Sequence, residues 1–337
     1  MSSTSTPAVP DGSTVTYEQL HEIQEEFEDA EVELANRSRL SVLVRQHVQI
    51  TRPILEKRAK AIAAIPNFWP LVFEQAPQDI DEYIQPTDAN VLMSSLKSIS
   101  VSHFEIDNEV EGGDPRSISI KWEFGENDYF EDRFLEKKFW YRRSKDSSWS
   151  GLVSEPVDIK WKSGKDLTHG LLAMARQVWD EEQNQGASAK IDKPEGMTPS
   201  QEALKKKIES AGGVGGVSFF AWFGYRGRHV TAEENRQSQE ERRLKMQGKM
   251  PEVTATEDKD EDMDEDDQDA LEAFPGGDEL AVCIADDLWQ DAIKYFMQAQ
   301  EDDGNDSGDD FESDEDEEGE NSPAQTPGQP PAKKQKK

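Results

Sequence analysis

Residues 117–124 read SISIKWEF, a run in which apolar residues alternate with polar ones. A period of two is typical of a β-strand with one buried and one solvated face. The turn-forming stretch EGGDPR at 111–116 precedes this run, and KSISVSHFEI at 97–106 alternates in the same way. FLEKKFWYRR at 134–143 and LVSEPVDIKW at 152–161 continue the pattern. The sequence therefore predicts an α+β fold with a four-stranded antiparallel sheet, whose apolar face needs a covering layer of helices.

Helical periodicity dominates the chain after the sheet. Amphipathic runs occupy 166–183, 199–210 and 278–299, and 231–247 is typical of an exposed helix. The run at 278–299 is predicted to be one helix with a repeating apolar face. That face comprises Leu280, Ile284, Leu288, Ala292 and Phe296. SFFAWF at 218–223 is a short aromatic cluster between two of the helices.

A long helix is predicted before the sheet, because residues 15–52 contain neither Gly nor Pro. Pro53 should kink or end it, although helical sequence continues to Ile65. A helix of roughly 45 residues is about 70 Å long, too long to be covered by its own small domain. It is therefore interpreted as a dimerisation helix, and the alternative is two helices broken near 37–41. The proposed dimer contacts are Leu20, Ile23, Phe27, Leu34, Val44 and Val48.

The charge of the chain is strongly negative and unevenly distributed. Asp and Glu number 71 against 38 Lys and Arg, which gives a net charge of −33. Residues 257–337 hold 29 of the acids but only 6 of the bases, and EDKDEDMDEDDQD at 257–269 is the densest internal run. Another thirteen acids and no base lie in 301–320. Such a chain is a poor partner for nucleic acid as a whole but suits strongly basic proteins.

Enzyme, metal and membrane classes find no support in the sequence. The five histidines have neither i,i+4 spacing nor an HExxH context, and Cys283 is the only cysteine. AGGVGG at 211–216 lacks the Lys-Ser/Thr of a phosphate-binding loop. No apolar run approaches membrane-spanning length. We therefore expect no catalysis, cofactor, metal or membrane, and the basic KKQKK at 333–337 favours the nucleus, with the cytoplasm as the alternative.

The order of these segments predicts four regions with two insertions. The regions are a disordered N-terminus at 1–14, the long helix at 15–65, an α/β domain at 66–300 and a disordered acidic tail at 301–337. The insertions are 186–217 and an acidic loop at 252–272.

Five stretches resemble the SET branch of the nucleosome assembly protein (NAP) family, in the family's order. They are AIAAIPNFWPLVF (61–73), FGENDYFEDRFLEKKF (124–139), IKWKSGKDLT (159–168), SFFAWF (218–223) and DELAVCIADDLWQDAIKYFM (278–297). The resemblance covers about residues 16–300. It implies a homodimer held by the long helix, with an α/β "earmuff" domain on each arm. It also implies a histone chaperone that binds core histones and promotes nucleosome assembly or disassembly.

The alternative within this resemblance is an acidic dimeric adaptor that regulates a histone acetyltransferase or a protein phosphatase. For the chaperone, the expected histone-binding carboxylates lie at the rim of the domain and in the loop before the third strand. They are Asp278, Glu279, Asp286 and Asp287 at the rim, and Asp128, Glu131 and Asp132 in the loop. Lys160, Lys162 and Lys165 are expected to pair with nearby acids rather than touch DNA, so DNA is only an indirect partner.

Overall fold

The computed structural model of the protein describes six stretches of the chain. These are residues 42–108, 113–145, 148–186, 197–211, 216–246 and 270–306. The predicted contacts Leu20, Ile23, Phe27 and Leu34, the acidic run at 257–269 and the basic terminus lie outside the described residues. The sheet and the hydrophobic core belong to a compact unit that ends at Ala299.

The predicted four-stranded antiparallel sheet is confirmed. Its strands are β1 (Leu96–Ser102), β2 (Ile118–Phe124), β3 (Phe134–Arg143) and β4 (Ser150–Ser154), in the order β1-β2-β3-β4. Each strand pairs with its neighbour in sequence, so the sheet is a simple meander. Ile120 lies opposite Lys137, which places both side chains on the covered face.

Two strands are shorter than predicted. β1 ends at Ser102, because residues Phe104–Asp107 form the one-turn helix α5 instead of continuing the strand. β4 ends at Ser154, and Pro156 then has no N–H to donate to a sheet ladder. The backbone N–H of Ser154 donates to the carbonyl of Arg226 at 2.7 Å, so another segment closes the end of this edge strand.

The long helix, α1, spans residues 42–62 within the described part of the chain. It runs through Pro53, so of the two predicted effects of Pro53, a kink or an end, the end does not occur, and the predicted continuation of the helix beyond Pro53 is confirmed. Pro53 is exposed, so its ring lies on the outside of the helix. The helix ends at residue 62 rather than 65, before Pro66.

The remaining helices precede or follow the sheet in sequence. They are α2 (Phe68–Glu74), α3 (Gln78–Asp81), α4 (Pro86–Ser95), α6 (Leu171–Gly186), α7 (Pro199–Ser210), α8 (Ala232–Met246), α9 (Gly277–Val282) and α10 (Ala292–Asp306). The SFFAWF cluster forms a 3₁₀ helix, Phe219–Gly224, in which every side chain is buried.

That 3₁₀ helix is the centre of the core. Trp122 of β2 packs edge-on against Phe219 and Trp222, with ring centroids 5.4 and 6.1 Å away. Phe139 of β3 lies 5.4 Å from Trp222. Aromatic pairs of this kind each add about 1 kcal/mol beyond the area that they bury. The apolar residues of the alternating strands therefore meet one aromatic turn.

The predicted helix at 278–299 is broken into three parts, although its apolar face is confirmed. After α9, residues Cys283–Leu288 form a π-helical turn, and α10 starts at Ala292. The N–H of Trp289 donates to the carbonyl of Ile284 at 2.9 Å, five residues earlier, which is the π pattern. Leu280, Ile284, Leu288 and Ala292 are nevertheless fully buried.

Candidate functional site

The π-helical turn displays two of the predicted carboxylates. Asp286 is exposed and Asp287 is half-buried, while Ile284 and Leu288 anchor the turn in the core. A π turn carries an extra residue, which rotates the side chains that follow it, and such turns recur at functional sites. The core therefore fixes the backbone from which these two carboxylates project.

Asp287 is committed to its own chain. The hydroxyl of Tyr295 donates to its Oδ1 at 2.8 Å. Burial, and then this bond, raise the pKa of Tyr295 to about 12. Asp287 therefore joins the π turn to α10 and retains only part of its capacity to accept bonds from a partner.

Asp286 has no such partner among the described residues, but it faces two histidines. The pKa of Asp286 is raised, because surrounding groups desolvate its carboxylate even though the residue as a whole is exposed. His103, at the end of β1, and His47, on α1, act in the opposite direction. Asp286 thus lies where the long helix, the sheet and the π turn meet.

Other carboxylates gather beside Asp286. The pKa of the Cys283 thiol is raised first by burial and then by Asp79, Asp287, Glu279 and Asp286. A single thiol is therefore within electrostatic reach of all four acids. We call this set, Asp79, Glu279, Asp286 and Asp287, the acidic rim.

Asp79 was missed by the sequence reasoning. It lies on the short helix α3, which contacts the π turn. The run DIDEYI gives no periodic signal for such a contact, because it depends on tertiary packing.

Asp278 lies beside Tyr225. After burial, it is the largest cause of the raised pKa of Tyr225, a buried residue of the core. The local backbone requires glycine: Gly276 has φ of 76°, and a Cβ on Gly277 would lie 2.5 Å from the ring of Tyr225. Glu279, the next residue after Asp278, is exposed and belongs to the rim. The structure thus separates two neighbours that the sequence treated alike.

The second predicted group, Asp128, Glu131 and Asp132, lies in the loop between β2 and β3. The side chain of Asn127 accepts the N–H groups of Tyr129 and Phe130 at 2.9 and 3.0 Å and shapes this loop. Asp132 accepts the N–H of Lys160 at 2.6 Å, so it holds the loop to the chain after β4. Asp128 and Glu131 are exposed.

Glu131 and Asp132 line an open cavity of about 560 Å³. The cavity wall also carries cations, so it is mixed in charge rather than purely acidic. Its charged residues are Lys97, Glu123, Glu126, Glu131, Asp132, Arg133 and Lys162. The ammonium of Lys162 donates to the carbonyl of Asn127, as expected for a lysine that pairs within its own chain.

The long helix shows one face to its own domain. Arg45 donates to the carbonyl of Gly113, and Arg52 forms a salt bridge with Asp107. Arg58 donates to the carbonyls of Trp289 and Gln290 at 2.6 and 2.8 Å. These arginines hold α1 against the domain near the π turn.

The described dimer candidates lie on this inward face. Val48 is 8% exposed within the single chain, and Val44 is half-buried. The apolar residues of α1 that face away from the domain form a different set, each more than half exposed. They are Val42, Leu43, Ile50 and Ile54. Leu43 and Ile50 form a second apolar stripe beside Val44 and Val48, and Ile54 extends it at i+4. The sequence therefore already contained the signal for this outward face.

Metal-binding clusters and membrane spans are both absent from the described residues. No group of three or more His, Cys, Asp or Glu residues there has the arrangement needed to hold a metal ion. Within the same stretches, no helix combines the length and the apolar character that crossing a bilayer requires.

Comparisons with known proteins give a consistent result. The family model described as "Nucleosome assembly protein (NAP)" matches residues 13–299. A protein of Schizosaccharomyces pombe named "Putative nucleosome assembly protein" is 33% identical over 160 residues, which are 45% of this chain and 59% of that protein. Protein SET of Drosophila melanogaster is 32% identical over 158 residues, which are 46% of this chain and 54% of that protein. The chain thus spans about half the length of the curated relatives that it matches.

Among solved structures, Vps75 is similar in fold. The two chains have a TM-score of 0.50 and 21% sequence identity, and the match covers 82% of this chain and 99% of Vps75. Another crystal structure of that protein names it the Vps75 histone chaperone. At this level of identity the likeness concerns the fold alone.

Proposed function

This chain belongs to the nucleosome assembly protein family, as a SET-type member, and on that premise we propose that it is a histone chaperone. It binds core histones through acidic surfaces, shields their positive charge and promotes nucleosome assembly or disassembly. The observation that carries this proposal is the acidic rim, where exposed carboxylates sit on a backbone fixed by the core.

The physical basis is competition between two polyanions for the same basic protein. Histones bind DNA largely through arginines and backbone contacts to phosphate, without reading base sequence. Exposed Glu279 and Asp286 offer carboxylates to the same side chains, and both lie within two turns of one helical segment. Because both residues are exposed, we expect them to contribute mainly to attraction and association rate, both weakened by salt.

Exposure decides which predicted carboxylates take part. Glu279 and Asp286 are proposed as primary contacts, and Asp128 and Glu131, in the β2–β3 loop, as secondary contacts. Asp287 and Asp132 are proposed to position these surfaces, because each is already bonded within the chain. Asp278 is proposed as a structural neighbour of Tyr225.

Histone binding is tested by pull-down of purified core histones at moderate salt, with a competing DNA fragment present. The control is an unrelated protein of similar size and net charge. Retention well above that control is expected. Retention equal to the control would overturn the chaperone proposal and leave the adaptor alternative.

Within this proposal, the acidic run at 257–269 contributes more than the terminal run at 301–320. The internal run lies between α8 and α9, so both of its ends are joined to the folded domain. Deleting 257–269, which spares Leu271 and Glu272 of the folded domain, should therefore weaken histone binding more than deleting 301–337. The reverse order would contradict this ranking. Full-length protein is the reference for both.

The protein is proposed to be a homodimer through the outward apolar face of α1. Exposed Ile50 and Ile54 are 68% and 63% accessible in the single chain, and burying them against a second copy would stabilise both helices. Ile50→Asp/Ile54→Asp should sediment as a monomer. Gln46→Asp/Gln49→Asp places the same charges at exposed polar positions of the same helix and should remain a dimer. Dimeric Ile50→Asp/Ile54→Asp would contradict the proposal.

A further inference from the structure

The sheet has a second face, opposite the aromatic core. Alternation places one side-chain set of each strand on this face. The members from β1 and β2 are Ser98, Ser100, Ser102, Ser119, Lys121 and Glu123, and those from β3 are Phe134, Glu136 and Lys138. Their strand neighbours, such as Trp122 and Phe139, are buried in the core.

Part of this face is covered at one end. The ring of Phe104, on α5, packs edge-on against Trp140 at 5.7 Å. Arg142 donates to the carbonyl of Val230, just before α8, at 2.7 Å, and Val153 of β4 is buried. The rest, over β1, β2 and the first half of β3, is open: Phe134 is 47% exposed, and Lys121 and Lys138 are exposed.

The open part is rich in cations, although the chain as a whole has a net charge of −33. Its cations are Lys121 and Lys138, with Arg133 and Lys97 exposed at its edge, and its acids are Glu123 and Glu136. Both acids are engaged: Glu123 accepts from Arg133 at 2.8 Å, and Glu136 accepts from the hydroxyl of Ser119 at 2.8 Å and pairs with the ammonium of Lys138 at 3.9 Å. Among the described ion pairs, none involves Lys97 or Lys121.

Aromatic rings lie among these cations. The ammonium of Lys121 is 4.6 Å from the centroid of Phe134, and the guanidinium of Arg133 is 5.2 Å from it. The ammonium of Lys138 is 5.6 Å from the centroid of Phe104. Cation–π attraction keeps the charged groups close to the sheet, and Phe134 still exposes nearly half of its surface.

Small hydroxyl side chains complete the surface. Ser100 lies opposite Lys121, and Ser102 lies opposite Ser119, which in turn faces Lys138. Ser100 and Ser102 are exposed, whereas Ser119 is buried, and Lys121 lies opposite Glu136 on its other side. No bulky side chain of β1 shields the lysines.

We propose that this open sheet face binds single-stranded nucleic acid. Lysine, arginine and serine are donors to backbone phosphates, and exposed rings on a flat antiparallel sheet accept unstacked bases. A positive surface that follows the backbone, combined with rings that stack bases, is the recurrent arrangement for single strands.

Two other occupants fit the face less well. The face of a four-stranded sheet is too broad to enter a groove of B-form DNA, where an α-helix or a two-stranded ribbon fits. An acidic peptide would use the lysines but gains nothing specific from the ring of Phe134. Duplex DNA and acidic peptide are therefore arms of the test. The inference goes beyond histone binding, because it concerns a partner of opposite charge, on a surface that adjoins the β2–β3 loop cavity at Glu123 and Arg133.

The test measures fluorescence anisotropy of a labelled 20-nucleotide single strand with the full chain, at several salt concentrations. Lys121→Ala/Lys138→Ala should weaken binding at least tenfold and reduce the log–log salt slope by about 1.4, since each single-strand phosphate contact contributes about 0.7. Phe134→Ala should weaken the single strand several-fold but leave a labelled duplex unchanged. The control, Lys160→Ala/Lys165→Ala, removes two exposed lysines outside the face and should stay within twofold.

Any one of three other results would overturn the proposal. These outcomes are no single-strand binding at low salt, equal losses in the face variant and the control, or a duplex or a labelled poly-glutamate bound more tightly than the single strand. Histone retention by Lys121→Ala/Lys138→Ala, measured in parallel, should be unchanged. A failure of nucleic-acid binding is thereby distinguished from a failure of the chaperone proposal.

Discussion

Asp88 and Asp286 are both aspartates close to a helical turn, yet the structure uses them in opposite ways. Asp88 is fully buried; it accepts the hydroxyl of Ser218 at 2.6 Å and the N–H of Phe219 at 2.7 Å. It also accepts the N–H of Gln85 at 3.1 Å, which completes the N-terminal cap of α4. Asp286 is exposed and is bonded to no described residue.

The same division separates Glu272 from Glu279. Glu272 is half-buried with its carboxylate turned inward, where it accepts the N–H groups of Arg226, Gly227 and Phe274. Burial raises the pKa of Glu272, and the nearby charge of Arg226 opposes that rise. Glu279 is exposed on the rim. Some acids of this chain therefore stabilise the fold, while others are exposed to a basic partner. The net charge of the chain does not distinguish the two classes.

The largest effect that tests this division is expected at Asp88. Asp88→Ala leaves the buried N–H of Phe219 and the hydroxyl of Ser218 without an acceptor, which should lower the free energy of unfolding by about 3 kcal/mol. Asp286→Ala is the matched control and should change it by less than about 0.5 kcal/mol. Urea unfolding at one protein concentration measures both. Equal losses would remove the distinction between the two classes.

A second test concerns Lys137, the cation of the buried set. Its ammonium donates to the carbonyls of Glu155, Phe223 and Tyr225 at 2.9–3.0 Å, at a fully buried position. Lys137→Met leaves these carbonyls unsatisfied and should lower the free energy of unfolding by about 2 kcal/mol at pH 7.5. Lys138→Met, on the open face, should have little effect.

The loss at Lys137 should depend on pH. Burial lowers the pKa of Lys137 to about 7, below its value in the unfolded chain. The unfolded state therefore binds more protons above pH 7, and the stability of the native chain rises with pH between about 7 and 10. The difference between native protein and Lys137→Met should be larger at pH 9 than at pH 6. A constant difference would show that the ammonium stays charged across this range.

A smaller effect is expected at the link between the rim and α10. Tyr295→Phe removes the hydroxyl bonded to Asp287 and should cost about 1 kcal/mol of unfolding free energy. It should also release Asp287 towards solvent, so histone affinity should stay equal or rise slightly. A clear loss of histone affinity would mean that Asp287 must be held by Tyr295 for binding.

The smallest effect is expected at Asp132. It carries a predicted histone-binding role but already accepts the N–H of Lys160. Asp132→Asn should change histone affinity by less than twofold, whereas Glu131→Gln, one residue earlier and exposed, should change it about twofold. The comparison uses isothermal titration with the same histone preparation. A larger loss at Asp132 would reverse their assigned roles.

The sequence predicted much of this fold because period-two alternation and aromatic clustering are local signals. β3 has the predicted bounds, and alternation already assigns Lys137 to the covered face beside Leu135 and Phe139. The end of β1 was mispredicted because HFEI alternates but turns into a helix. The π-helical turn at Cys283–Leu288 could not be predicted from the sequence, because the helical spacing of apolar residues continues through it.

The site was predictable in composition but not in detail. Asp278, Glu279, Asp286 and Asp287 are equivalent acids in the sequence. Their roles differ because Tyr225 and Tyr295 take up Asp278 and Asp287, contacts between residues that are distant in sequence or two turns apart. On α1, Val48 faces its own domain because Arg45, Arg52 and Arg58 bind acceptors in other elements. The sequence does not show these contacts between distant residues.

The central claim is that the exposed rim carboxylates, rather than acidity in general, hold the histone. The most direct test is the affinity of core histones for Glu279→Gln/Asp286→Asn beside Glu202→Gln/Glu209→Gln, which removes two exposed charges from α7. All acidic runs remain intact in both variants. The rim variant should bind about tenfold more weakly, a loss of about 1.4 kcal/mol, and the α7 variant should match the native protein. Equal affinities for the two variants would contradict the account.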